Sequence, residues 1–148
     1  MERLRHGRVI KILKHLTFYS DGGSRGNPGP AAIAFVMLSD DGCIQKKYSK
    51  FIGIHTNNQS EYKALIAALK FASNKSEEVT CYLDSELVVK QLNGEYSVKN
   101  NQLRLLWREV QELKKSFKKT IFINVPRTNV HIQKADTLLN IKLDEYLN

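Results

Sequence analysis

Asp21, Glu61 and Asp84 stand where metal chemistry wants carboxylates, and Asp136 is a fourth candidate. Asp21 follows the apolar run Leu16-Thr17-Phe18-Tyr19 and opens a segment rich in glycine and proline, Gly22-Gly23-Ser24-Arg25-Gly26-Asn27-Pro28-Gly29-Pro30. A carboxylate at a strand end is held rigidly, and glycines beyond it let a polymer backbone come close. Asp84 follows a second apolar run, residues 79–83. Both acids therefore close predicted strands, where sites form in open α/β sheets. Glu61 and Asp136 each fall in the first turn of a predicted helix, a place acids also occupy simply to complement the helix dipole. Clustered carboxylates repel one another unless a cation neutralises them. Oxygen ligands without a His/Cys cluster point to Mg²⁺ or Mn²⁺ rather than Zn²⁺. Two such ions, about 4 Å apart, activate a water and stabilise the leaving oxygen of a phosphodiester.

The elements that must carry these acids follow from hydrophobic pattern. Residues 15–20 read as a strand, and residues 31–38 as a continuous apolar, buried one. Ser39-Asp40-Asp41-Gly42 is a hairpin turn leading to a third strand over residues 43–52. Asn57 or Asn58 caps a first helix, in which Tyr62, Leu65, Ile66 and Leu69 follow at helical spacing. A strand over 79–83 leads to a short helix over 85–92, closed by Asn93-Gly94. Leu103, Leu106, Trp107, Val110, Leu113 and Phe117 mark an amphipathic helix. A strand over 121–125 stops at Pro126, and a last helix covers 133–146. A three-stranded meander followed by strands alternating with helices predicts an α/β fold. Its five-stranded mixed sheet has three antiparallel strands, then two parallel ones, with helices on both faces. At their helical positions, Trp107 and Tyr62 read as core packing rather than as platforms for stacked bases.

The 148-residue chain is long enough for one domain with a real core, here residues 15–148, preceded by a basic arm over 1–14. No apolar run approaches a membrane span. The basic N-terminus lacks the apolar stretch of a secretory signal. Cys43 and Cys81 read as reduced thiols, so a cytoplasmic location is expected. The net charge of +8 favours a polyanionic partner. Arg3, Arg5, Arg8, Lys11 and Lys14 stand against Glu2 alone in the arm, and Lys114, Lys115, Lys118 and Lys119 form a second basic group.

Asp21-Gly22-Gly23-Ser24-Arg25-Gly26-Asn27-Pro28-Gly29-Pro30 resembles the first motif of the type 1 ribonuclease H family. Thr56-Asn57-Asn58-Gln59-Ser60-Glu61 is similar to its second, and Asp84-Ser85 with Val88 to its third. Asp136, with Ala135, Leu138 and Leu139 around it, resembles the last, although Leu139 replaces a small residue. The resemblance covers residues 16 to about 146 and implies a ribonuclease H-like fold. It implies hydrolysis of the RNA strand of RNA/DNA hybrids, leaving 3′-hydroxyl and 5′-phosphate ends. Asp21, Glu61, Asp84 and Asp136 would then hold two metal ions. Ser24, Asn27, Thr56, Asn57, Asn58 and Arg127 would contact the hybrid, with Thr56 and Asn27 on a phosphate of the DNA strand. Many members carry a loop histidine about ten residues before the last Asp, where this chain has Pro126. Val125-Pro126-Arg127 resembles a variant of that loop, and His131 is a candidate substitute. Only residues 94–101 stand where some relatives insert a basic helix and loop, so that handle is missing. Two other readings are kept: a nuclease that also cuts double-stranded RNA, and a non-catalytic nucleic-acid module. A monomer is the default.

Overall fold

The structure is a computed structural model and describes residues 2–5 and 8–148, with side chains from Ile12 onward. Strands β1 (Glu2–Arg5) and β2 (Arg8–Lys11) pair antiparallel in a small sheet of their own, within the stretch read as a basic arm. The main sheet begins with β3 (Leu13–Ser24), β4 (Gly29–Leu38) and β5 (Ile44–His55), an antiparallel meander. Helix α1 (Asn57–Ala72) leads to β6 (Ser76–Leu83), then α2 (Glu86–Leu92) and α3 (Asn101–Lys114). Strand β7 (Lys119–Asn124) and helix α4 (Val130–Leu147) complete the chain. The strand order is β5-β4-β3-β6-β7, with β6 parallel to both β3 and β7. This is the mixed sheet that the pattern predicts.

One residue alternation explains the two layers. On β3, Leu16 and Phe18 are buried on one face, where Phe35, Met37, Val79 and Cys81 join them. Helix α1 lays Leu65 and Leu69 on this face, and α3 adds Leu103 and Val110 behind it. On the other face Ala32, Ala34, Val36 and Leu38 meet Ala135, Leu139 and Leu143 of α4. Strand β4 is thus covered on both sides, which is why its sequence shows no alternation. Tyr62 and Trp107 do belong to the core: the Tyr62 hydroxyl donates to Gln91 Oε1 at 2.7 Å, and Trp107 Nε1 to the Gln91 carbonyl at 3.3 Å. Both cysteines are free, Cys43 exposed and Cys81 buried. No helix among the described residues is long and apolar enough to cross a membrane.

Three local expectations need correction. Strand β3 does not stop before Asp21. It continues through Gly22, Gly23 and Ser24, because Ala31–Ala34 of β4 supply a ladder that overrides poor strand propensity. The cap of α1 is Thr56, not Asn57 or Asn58. Thr56 Oγ1 accepts from the Gln59 N–H at 3.1 Å while Gln59 Oε1 accepts from the Thr56 N–H at 2.9 Å, a reciprocal pair that a lone Asn does not match. Helix α4 begins at Val130, where Asn129 Oδ1 accepts from His131 and Ile132. Asp136 therefore lies in its second turn, not its first.

Candidate active site

The parallel pairing of β3 and β6 ends at Tyr19 opposite Tyr82, whose rings stack with centroids 4.6 Å apart. Asp21 and Asp84 each lie two residues further on, so the same register that pairs the tyrosines brings the acids level. Leu83, just before Asp84, is anchored through its carbonyl, which accepts from the Val125 N–H at 2.9 Å and Asn124 Nδ2 at 3.1 Å. Glu61 arrives from the second turn of α1, not the first turn expected, because the helix already begins at Asn57. That helix sits so close to β3 that a Cβ on Gly22 would lie 2.2 Å from the Ser60 carbonyl oxygen. Glycine is therefore required there by contact, and its N–H donates to Glu61 Oε1 at 3.4 Å.

Ligand atoms of Asp21, Glu61 and Asp84 all lie within 4.8 Å of one another. They line a cleft of about 450 Å³, shared with Asn57, Asn58, Arg127 and Asp136. Asp136 stands on its rim, exposed and outside the tight cluster. Burial raises the Asp21 carboxyl to about 7, and the charges of Asp84 and Asp136 push the same way. Burial, then the charge of Asp21, pushes Glu61 well above the usual carboxylate range. Glu61 Oε2 is buried and has no hydrogen-bond partner among the described residues. A hard divalent cation answers each of these features: it neutralises the crowded acids and gives the orphaned oxygen a partner.

Arg127 is exposed, with its Nε 3.4 Å from Asp84 Oδ2. Ser24 donates to Asn57 Oδ1 through its N–H at 2.9 Å and its hydroxyl at 3.1 Å. Asn27 Oδ1 accepts from the Asn57 N–H at 3.0 Å. Asn27, Thr56 and Asn58 line a second hollow of about 230 Å³ with Gln59, Asn100 and Gln102. His131 is not brought to the cleft. Its ring packs on Tyr19 with centroids 4.8 Å apart, burial lowers its pKa, and its Nδ1 is buried without a partner among the described residues.

Two residues that the sequence reading passed over hold Asp136. Asn140 Nδ2 donates to Asp136 Oδ1 at 3.2 Å and to its carbonyl at 2.9 Å. Arg25 donates to Asn140 Oδ1 at 3.3 Å and pairs with Asp144 at 2.6 Å, tying the glycine-rich segment to α4. The spacing of Asp136, Asn140 and Asp144, four residues apart on one helix face, was a readable signal.

A five-stranded mixed sheet with an acidic cluster at the carboxyl end of its parallel strands defines a ribonuclease H-like domain. Residues 19–140 match the family described as reverse transcriptase-like. Ribonuclease HI of Halobacterium salinarum is 43% identical over 129 residues, which are 86% of this chain and 63% of that protein. The chain thus spans somewhat under two thirds of that relative's length. The crystal structure of RNase H1 from that archaeon superposes with a TM-score of 0.84 at 41% identity, covering 88% of this chain and 98% of that one. LC11-RNase H1 in complex with an RNA/DNA hybrid superposes equally well, at 0.84 and 35% identity, covering 90% and 99%. The chain belongs to the type 1 ribonuclease H family, a metal-dependent family of hydrolases.

Proposed function

We propose that this chain hydrolyses the RNA strand of RNA/DNA hybrids and leaves 3′-hydroxyl and 5′-phosphate ends. The observation that carries the reading is the convergence of Asp21, Glu61 and Asp84 within 4.8 Å, with Asp136 on the rim of the same cleft. Asp21, Glu61 and Asp84 hold divalent ions, Mg²⁺ or Mn²⁺, with Asp136 completing the set from α4. When bound, two such ions supply an activated water and neutralise the charge that develops on the leaving oxygen.

The remaining residues orient the substrate. Asn27 has its Oδ1 engaged by the Asn57 N–H, which leaves the Nδ2 as its free function. Thr56 Oγ1 already accepts from Gln59, so its O–H is left to donate. The second hollow therefore offers donors beside the N-terminus of a 16-residue helix, which suits a phosphate of the DNA strand. Asn57 keeps only its Nδ2 for a ligand, because Ser24 engages the oxygen. Asn57 and Asn58, beside the acids, are placed to read sugar hydroxyls, and the 2′-hydroxyl separates RNA from DNA. Arg127 contacts a substrate phosphate at the rim. The half-buried ring of His131, tilted against Tyr19 with its Nδ1 inward, fits packing better than proton transfer. A reducing, cytoplasmic setting accords with the free thiols, and a monomer is kept as the default.

The test is a cleavage assay on labelled hybrid, double-stranded RNA and double-stranded DNA with Mg²⁺ or Mn²⁺. Hybrid should be cut in its RNA strand alone. The Asp84→Asn variant should lose at least about a hundredfold in rate while keeping hybrid affinity. Equal cutting of double-stranded RNA, or undiminished turnover by that variant, defeats the proposal.

A further inference from the structure

Away from the acidic cleft, a groove of about 700 Å³ runs between the edge strand β5 and helices α1 and α3. Lys46 and Lys50 come from β5, Lys63 and Lys70 from α1, and Lys75 from the turn that follows it. Glu109 is the one acid among the described lining residues and pairs with Lys70 at 3.1 Å. Five cations against one anion leave the groove strongly positive. Its floor is apolar and aromatic: Tyr48 stacks on Phe35 with centroids 5.0 Å apart, and Phe71 lies 5.8 Å from Phe35. Lys46 and Lys75 sit over the Phe71 ring at 4.9 and 4.3 Å. The cations on β5 are four residues apart and those on α1 seven, so each row spans roughly 10–13 Å.

We propose that this groove binds single-stranded nucleic acid, separately from the cleft that holds the acids. Its two rows of lysines track a phosphate backbone, and the half-buried Tyr48 ring between them accepts an unstacked base. A duplex keeps its bases stacked inside and has no use for such a floor. The groove starts at Lys63 and follows α1 for about 12 Å toward Phe71. A strand left unpaired beside a hybrid would be captured there, raising the residence of that substrate. The inference does not require cleavage to occur.

The experiment measures fluorescence anisotropy of the full chain with a labelled oligothymidine of about 12 nucleotides, across about 50 to 200 mM KCl. The combined variant Lys46→Gln, Lys50→Gln, Lys70→Gln should bind about tenfold more weakly and lose about 2 units of the log–log salt slope. Lys→Arg at the same positions should restore binding, and cleavage of a blunt hybrid should stay at the wild-type rate in both variants. An unchanged affinity and slope in the Gln variant overturns the proposal. So does a parallel loss of blunt-hybrid cleavage, which would make the groove part of the main channel. Displacement of the oligonucleotide by polyglutamate at lower concentration than by unlabelled oligothymidine would point instead to an acidic protein and also overturns it. Blunt-hybrid cleavage without single-strand binding defeats this inference alone, and single-strand binding without cleavage defeats only the hydrolase reading.

Discussion

Asp21 and Glu61 are both buried, and both pay in stability for being charged. For Asp21 the sign follows from its raised folded value of about 7 against 3.8. The native state binds the proton more tightly, so its contribution to stability is full below about 3.8 and is lost as pH rises through about 7. At pH 8 with chelator, Asp21→Asn should therefore stabilise the protein by about 2 kcal/mol, or about 4 to 8 °C in melting temperature. Thermal denaturation at pH 5 and pH 8 checks this, and the gain should shrink at pH 5. The same variant should lose the stabilisation that added Mn²⁺ gives the parent. Asp136 is constrained differently, by Asn140 and, through it, Arg25. Asn140→Ala should raise the metal concentration for half-maximal rate by about 10-fold and leave the melting temperature within about 2 °C. A titration of rate against Mg²⁺ decides whether that network positions the acid.

At the level of elements, the site depends on how closely α1 approaches β3. The Gly22 contact is with backbone, the Ser60 carbonyl, which does not swing aside as a long side chain would. Gly22→Ala should thus displace the start of α1, costing about 1–3 kcal/mol of stability. A shift of about 1 Å in Glu61 should lower the rate by about a hundredfold. Denaturant unfolding and hybrid cleavage measure the two effects separately, and a variant of normal stability and rate would show that the helix yields freely. This requirement was visible only as a glycine after an aspartate. The contact that demands it joins residues 38 apart in sequence. The α1 cap was missed for a related reason. Asn57 and Asn58 are each good cap residues, but the Thr56–Gln59 pair satisfies two backbone donors reciprocally.

For the whole molecule, the charge of +8 predicts that hybrid affinity falls steeply with salt. The log–log slope for the Asp84→Asn variant should be steeper than about −3, as several phosphate contacts require. A flat response, measured by anisotropy, would remove phosphate recognition from the account. Charge alone does not say where the phosphates lie. The basic clusters at 1–14 and 114–119 are contiguous in sequence and were easy to see. The lysine groove was not, because its rows come from a strand and a helix that meet only on packing.

Short apolar runs and period-3.6 patterns, being local, already point to the main-sheet strands and the helices, and their order to a mixed sheet, before any coordinate is known. The spaced motifs likewise single out Asp21, Glu61, Asp84 and Asp136, because a ligand must be of a particular chemical type. Pairings between distant residues are another matter. Arg25 reaches Asn140 across 115 positions, His131 turns onto Tyr19, and Asp136 is left at the rim while three acids close together. Those outcomes depend on the register of β3 with β6 and on the depth at which α1 and α4 seat, quantities that no local pattern encodes.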